Sequence, residues 1–323
     1  MIQIITKPLD NLTFIDLFAG IGGFRLALSS LGAKCVYSNE WDKYSKQTYF
    51  ANFGEMPDDD ITKVDEKLIP NHDILCAGFP CQAFSISGKK LGFTDSRGTL
   101  FFDVARIIKE KNPKIVFMEN VKNFATHDGG RTLEVVRNTL FELGYSFDYK
   151  VLNAANYGIP QKRERIYMVA FRNDILKSEF NFPNPIPLTK YVNDFLVNDE
   201  NIVSGLYVDR PDLVLTKEDN VFGNKPIRLG MVNKGGQGER VYSTKGVAIT
   251  LSANGGGVFA KTGGYYINNK TRKLHPVECA NLMGYPKNYK IVVSNSQAYK
   301  QFGNSVVVDV LQYIALEIAK AIK

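Results

Sequence analysis

The chain has 323 residues, 44% of them apolar and 23% charged, an ordinary globular composition long enough for one large domain and a smaller one. No apolar run approaches the ~20 residues of a membrane helix. The N-terminal MIQIITKPLDNL lacks the apolar stretch and cleavage site of a signal peptide, so a cytoplasmic protein is expected. The net charge of +7 is unevenly placed: residues 225–275 hold nine Lys or Arg against one acid, Glu239, which leaves the rest near −1. A basic run alone is most often a solvated face. Set against a neutral body, it is the footprint of a polyanion binder.

From the N-terminus, short apolar runs alternate with helical patterns. Strands are expected at Thr13–Phe18, Lys34–Ser38, His72–Ala77, Lys114–Glu119, Phe147–Asn153 and Arg165–Phe171, and helices start near Gly22, Asp42, Gly98 and Arg131. In the first helix Phe24, Ala27, Leu28 and Leu31 share one face. The alternation predicts an α/β fold with a buried parallel sheet and helices on both faces, its ligands at the carboxyl ends of the strands. The three prolines of NFPNPIPL (181–188) break the pattern. Residues 225–275 contain ten glycines and short β-prone pieces such as Val247–Leu251, which suggests a small loop-rich β domain. A final helix is expected over Ser305–Ile322 and no internal repeat is visible.

Four stretches carry chemistry. FIDLFAGIGGF (14–24) runs from a strand through a glycine turn into a helix, and its glycines do not fit the GxGxxG dinucleotide fingerprint, which disfavours an NAD-dependent dehydrogenase. The second strand leads into Glu40, placed for ribose hydroxyls, and Trp41, the only tryptophan, suited to pack on adenine. AGFPCQAFSISGKK (77–90) puts Cys81 just past a strand end, where an accessible thiolate is a candidate nucleophile, and a polar loop to about Gly98 follows. Cys35, Cys76 and Cys279 read as apolar filler. FMENV (117–121) ends a strand in Glu119, and QKRERIYMVAF (161–171) brings Arg163 and Arg165 to the start of another. His72, His127 and His275 show no metal-ligand spacing, and no metal is expected.

DLFAGIGGF, PCQAFS, ENVKNF, QKRERIY and QFGNSV occur in that order, and the whole chain resembles the DNA cytosine-5 methyltransferases. Within that family RLGMVNKGGQGERVYSTKG and FAKTGGYY are most similar to the recognition region of the GCGC-reading members. The resemblance implies a Rossmann-like S-adenosylmethionine-dependent sheet spanning 1–193 plus 304–323, a target-recognition domain at 194–275 and a hinge at 276–303. It implies Cys81, Glu119, Arg163 and Arg165 as catalytic residues. It places S-adenosylmethionine against Phe18, Gly20, Ile21, Gly23, Asn39, Glu40, Trp41, Asp60, Ile61, Pro80, Leu100, Asn304, Ser305 and Val306, with S-adenosylhomocysteine as product. Double-stranded DNA would meet Ser85, Ser87, Arg97, Lys234, Gln237, Arg240, Thr250, Ser252, Asn254 and Gly257. Asn254 stands where the GCGC-reading pattern has an aromatic residue, so one DNA contact is expected to differ.

The implied protein is a monomeric bacterial or phage modification enzyme, cytoplasmic and nucleoid-associated when on DNA. It would have a cognate restriction endonuclease but form no stable complex with it, and it would not touch a membrane. A tRNA cytosine-5 methyltransferase is the alternative within the family. A DNA-binding module with a dead site is the alternative outside it.

Overall fold

The computed structural model describes residues 7–80, 100–198 and 204–323. Two compact units emerge, one from residues 2–152, 164–183 and 311–323, the other from 153–163 and 184–310.

The first unit is built on six strands: β1 (Thr13–Leu17), β2 (Lys34–Asn39), β3 (Ile74–Ala77), β4 (Ile115–Val121), β5 (Asp148–Asn153) and β6 (Glu164–Phe171). They lie in the order β2-β1-β3-β4-β6-β5. The pairs β1–β2, β1–β3 and β3–β4 are parallel, as expected. β6 is antiparallel to β4, which corrects the expectation of a wholly parallel sheet. Between β5 and β6 the chain holds only a short 3-10 turn, Ala154–Tyr157. A parallel return needs a crossover of a dozen or more residues, usually helical.

Register sorts the side chains into two layers. Ile15, Leu75, Val116 and Ala170 form one row across the sheet, and Asp16, Cys76, Phe117 and Val169 form the next. The first row joins a core with α3 (Leu100–Lys111) and α4 (Arg131–Glu142) through Val104, Ile108, Val136 and Leu140. On the other face, Phe24 of α1 (Gly23–Ser30) meets Phe117 edge-on, ring centroids 5.1 Å apart. Helices thus cover both faces. α2 (Lys43–Phe53) starts where the Asp42 carboxylate accepts the Tyr44 and Ser45 amides, a side-chain N-cap.

In the second unit β7 (Val214–Leu215), β8 (Arg228–Met231), β9 (Arg240–Ser243), β10 (Gly264–Ile267) and β11 (Lys270–Lys273) form a sheet in the order β11-β10-β9-β8-β7. The expected strand at Val247–Leu251 does not form: only Ala248 bridges, to Gln161. Residues 276–303, expected as a hinge, supply α5 (Pro276–Asn281) and most of α6 (Asn295–Asn304) and cluster with this unit. The Arg272–Glu278 ion pair is fully buried here. Glu278 also accepts the His275 and Val197 amides, so each carboxylate oxygen is engaged. His275 caps α5 through its ring nitrogen. The last helix, α7, covers Val308–Ala321. By length and composition 295–321 could cross a membrane, but it is broken between α6 and α7 and mostly buried, as core helices are.

Candidate active site

In the first unit, the turn after β1 is shaped by backbone conformations that side chains resist. Phe18, Gly20 and Gly22 have φ of 54°, 57° and 82°. A Cβ on Gly22 would lie 2.3 Å from the Phe53 ring, so this position needs glycine for space as well as for conformation. Glu40 ties the turn to the end of β2: one carboxylate oxygen accepts the Gly20 amide at 2.8 Å, the other the Asp42 amide at 2.7 Å. Burial pushes the Glu40 carboxyl up, and these two amides oppose it. Glu40 is therefore a shaper of the turn.

Beside it Trp41 is 80% exposed, an unusual setting for the one indole of a chain. Asn39 donates to the carbonyls of Asp58 and Asp59, and the Asp60 carboxylate accepts the Thr62 amide and hydroxyl. Arg106 of α3 donates to the Ile61 and Val64 carbonyls, so the Asp60–Ile61 segment is fixed from below. Ile61 is buried, Pro80 exposed and Leu100 half-buried. An open glycine cradle, a carboxylate at the next strand end and an exposed indole fit an adenosine-type group.

Glu119 ends β4. Because β6 runs the other way, its first residues stand at the same sheet edge: Glu119 pairs with Tyr167, and Arg165 lies diagonally across. The Arg165 Nε is 3.2 Å from the Glu119 carboxylate, both side chains largely buried. A Cβ on Gly78 would sit 3.9 Å from Glu119 Oε2, so the chain leaving β3 runs alongside this pair. Asn120, which the motif reading passed over, donates to the Phe79 carbonyl at 2.8 Å and fixes the backbone just before Pro80. Cys81, Ser85, Ser87 and Arg97 lie outside the described residues. Cys35, Cys76 and Cys279 are buried free thiols whose burial pushes them up, as inert filler would be.

The second unit presents a glycine loop at 233–240. Glu239 folds it, accepting from the Gly236 amide and the Asn233 side chain, and these bonds hold its carboxyl down. Asp212, held at about 2 chiefly by Arg210, accepts the Asn233 amide. Lys234 and Gln237 are exposed, and half-buried Arg240 donates to the Gly235 carbonyl at 3.1 Å. A second loop crosses this one without space between: a Cβ on Gly238 would lie 1.9 Å from the Gly256 carbonyl oxygen, and Phe259 donates its amide to Gly238. Asn254 and Gly257 are exposed on that loop, whereas Ser252 is half-buried and donates to the Asn254 carbonyl. The Thr250 hydroxyl is bonded to the Lys162 carbonyl.

Arg163 is bonded to main chain. It is 2% exposed, and its guanidinium donates to the carbonyls of Leu251, Gly303 and Ser305, all within the second unit. These main-chain bonds fix the guanidinium inside that unit. Asn304, Ser305 and Val306 lie in this unit too, with the Ser305 hydroxyl 2.6 Å from that of Tyr285.

The family description "C-5 cytosine-specific DNA methylase" matches residues 12–320. The chain belongs to this family. It is 67% identical over its whole length to the Type II methyltransferase M.HhaI of Haemophilus parahaemolyticus, covering 98% of that protein. It is also 45% identical to M.HpaII of Haemophilus parainfluenzae, over 94% of this chain and 88% of that one. Among solved structures, the S. pombe Dnmt2 methyltransferase superposes with a TM-score of 0.75 at 20% identity, over 96% of this chain and 98% of that one, a likeness of fold.

As a C-5 cytosine DNA methylase the protein is an enzyme acting on DNA, and its sheet is the Rossmann-like methyltransferase sheet. Among the described residues, DLFAGIGGF and ENVKNF run on from strands of the first unit, and QFGNSV ends α6 in the second. The side chains that hold the loops from behind, Asn120, Gln161 and Arg106, left no signal as functional residues in the sequence.

Proposed function

We propose that the enzyme transfers a methyl group from S-adenosylmethionine to carbon 5 of the inner cytosine of GCGC in duplex DNA, as the modification half of a restriction–modification pair. The diagonal Glu119–Arg165 pair at the sheet edge carries this proposal, because it offers a carboxyl and a guanidinium together where a flipped pyrimidine would enter.

Carbon 5 of cytosine is a poor nucleophile. Addition of the Cys81 thiolate at carbon 6 breaks the aromaticity and makes carbon 5 enamine-like, splitting one hard step into easier ones. Charge then builds at N3, where Glu119 would supply a proton or hydrogen bond, while Arg165 suits the exocyclic oxygen. In the free protein these two side chains hold each other, and the ring edge would compete for both. S-adenosylmethionine, when bound, would supply the electrophilic methyl group, with S-adenosylhomocysteine as the leaving group. A base would then take the carbon 5 proton and the Cys81 thiolate would leave carbon 6, restoring the aromatic ring. Phe18, Gly20, Ile21, Gly23, Asn39, Glu40, Trp41, Asp60, Ile61, Pro80, Leu100, Asn304, Ser305 and Val306 would hold S-adenosylmethionine, the Trp41 indole against adenine and Glu40 on the ribose.

Gln237 and Ser87 would fill the gap left by the flipped base, and Arg240 would read guanine O6 and N7. Lys234, Thr250, Ser252, Asn254, Gly257, Ser85 and Arg97 complete the proposed DNA surface, which fits the charge of residues 225–275. The enzyme would act as a monomer in the cytoplasm of its bacterial host, on the nucleoid, without stable attachment to a cognate endonuclease.

Labelled S-adenosylmethionine with duplexes carrying GCGC or CCGG tests the target: label in GCGC alone is expected, and equal label in both, or none, rejects it. Preferential label in tRNA would establish the alternative substrate. Cys81→Ser should abolish turnover and keep DNA binding; unchanged turnover would sink the covalent mechanism.

A further inference from the structure

Two segments with different assignments hang from one buried side chain. Leu251, at the base of the second recognition loop, is held on both sides by the QKR stretch: its amide donates to Gln161 Oε1 at 3.1 Å and its carbonyl accepts from Arg163 Nη1 at 2.9 Å. The other guanidinium nitrogen, Nη2, donates to the carbonyls of Gly303 at 2.9 Å and Ser305, on either side of Asn304. Nothing separates the two segments: a Cβ on Gly303 would lie 2.2 Å from the Ala253 amide nitrogen. Gln161 also donates to the Leu282 carbonyl at 2.8 Å and is fully buried. A planar fork holds these three carbonyls from two nitrogens with fixed separation and direction, which the single nitrogen of an ammonium on a flexible stem does not reproduce.

We infer that Arg163 is a positioning residue that sets the second DNA-reading loop and the Asn304–Val306 turn as one piece, so that target discrimination and cofactor affinity are coupled through a single guanidinium. The inference rests on the proposed assignment of 250–257 to DNA and 304–306 to S-adenosylmethionine. The Gln161 side chain bonds Leu251 on the loop side of the junction and the Leu282 carbonyl, not the Gly303 and Ser305 carbonyls that Arg163 holds. The two residues of one motif therefore divide: Gln161 sets the loop, and Arg163 sets the loop and the turn together.

The experiment compares wild type, Arg163→Lys and Gln161→Met in two readouts. Cofactor affinity is titrated with S-adenosylmethionine through the fluorescence of the single tryptophan, Trp41. Discrimination is the ratio of kcat/KM for GCGC to that for a duplex changed at one outer base pair. Arg163→Lys should weaken cofactor binding and lower the ratio together, each about tenfold, the loss expected when buried acceptors lose a charged donor. Gln161→Met should lower the ratio and leave cofactor affinity within twofold. An Arg163→Lys enzyme that loses kcat alone would make Arg163 a base-contacting residue and overturn the inference. Equal loss of both properties in Gln161→Met would reduce the coupling to general loosening, and also overturn it.

A third measurement needs no variant. In the wild-type protein, saturating S-adenosylmethionine should slow hydrogen exchange at the Leu251 and Ser252 amides. Unchanged exchange there sinks the coupling even if the substitutions fail to fold. A wild-type enzyme without GCGC preference would instead reject the proposed target and leave the exchange result to stand by itself.

Discussion

The two units fix their functional residues by opposite means. In the first, strand register does it: Glu119 and Arg165 meet because β4 and β6 pair antiparallel, and every side chain on the two strands follows from that register. In the second, main chain is held by side chains from distant sequence, as Arg163 holds Leu251 across 88 residues and Gly303 across 140. Where two loops cross at Gly238 and Gly256, no side chain is present at all. A sheet edge tolerates change in its loops while keeping its geometry. A glycine crossing and a carbonyl-binding guanidinium tolerate almost none, which suits the base-pair discrimination proposed for this region.

The contrast can be broken at either end. The largest effect is expected at the sheet edge: Glu119→Gln should lower kcat by roughly 10²–10⁴, the usual share of a positioned acid, and leave duplex binding within a few fold. Single-turnover kinetics with a gel-shift control measure both, and a small fall in kcat would remove Glu119 from the chemistry.

Next comes the frame of the second unit. Arg272→Met leaves Glu278 charged and buried, and should cost about 3–5 kcal/mol, seen as a lower urea midpoint. Adding Glu278→Leu should restore most of it; a single variant as stable as wild type would show the pair to be dispensable. Gly238→Ala forces the two recognition loops apart and should reduce the preference for GCGC over a singly altered site roughly tenfold, a typical mismatch penalty.

The smallest effect returns to the sheet. Asp16 is fully buried, and burial holds its carboxyl well above the usual range. A raised native value means stability is complete below the ordinary carboxyl range near ~4 and falls as pH rises, because the unfolded chain ionises first. Asp16→Asn should therefore melt about 2–4 °C above wild type at pH 7, roughly 1 kcal/mol in a chain of this size, and converge with it near pH 3. Parallel melting curves across that range would refute the assignment.

Much of this was written in the sequence, and what was missing has a common cause. Apolar runs marked β1, β3, β4 and β6 of the first sheet, because strands buried on both faces cannot alternate with polar residues. Such a run has no direction, so the reversal of β6 was invisible, and with it the diagonal that joins Arg165 to Glu119. The motifs located the glycine turn, Glu40 and Trp41 through local chemistry. They could not show which carbonyls Arg163 holds, since its partners lie far away in the chain and carbonyls leave no trace in residue identity. Val247–Leu251 looked like a strand for the same reason: its β-prone residues pair with Gln161 and Arg163 in place of a neighbouring strand.

Glu239 has a consequence for how the enzyme would find DNA. The one acid among residues 225–275 is bonded to Asn233 and Gly236, folding its own loop. Small anions from solution then gather where the segment's positive charge faces water, while sodium or potassium condenses on the duplex. Docking would free both atmospheres, and the entropy of those released ions, more than any single contact, would drive the first encounter. Affinity for random duplex should accordingly drop steeply between 50 and 200 mM salt, so a change of buffer alone would shift the enzyme from gliding along DNA to stopping only at its site.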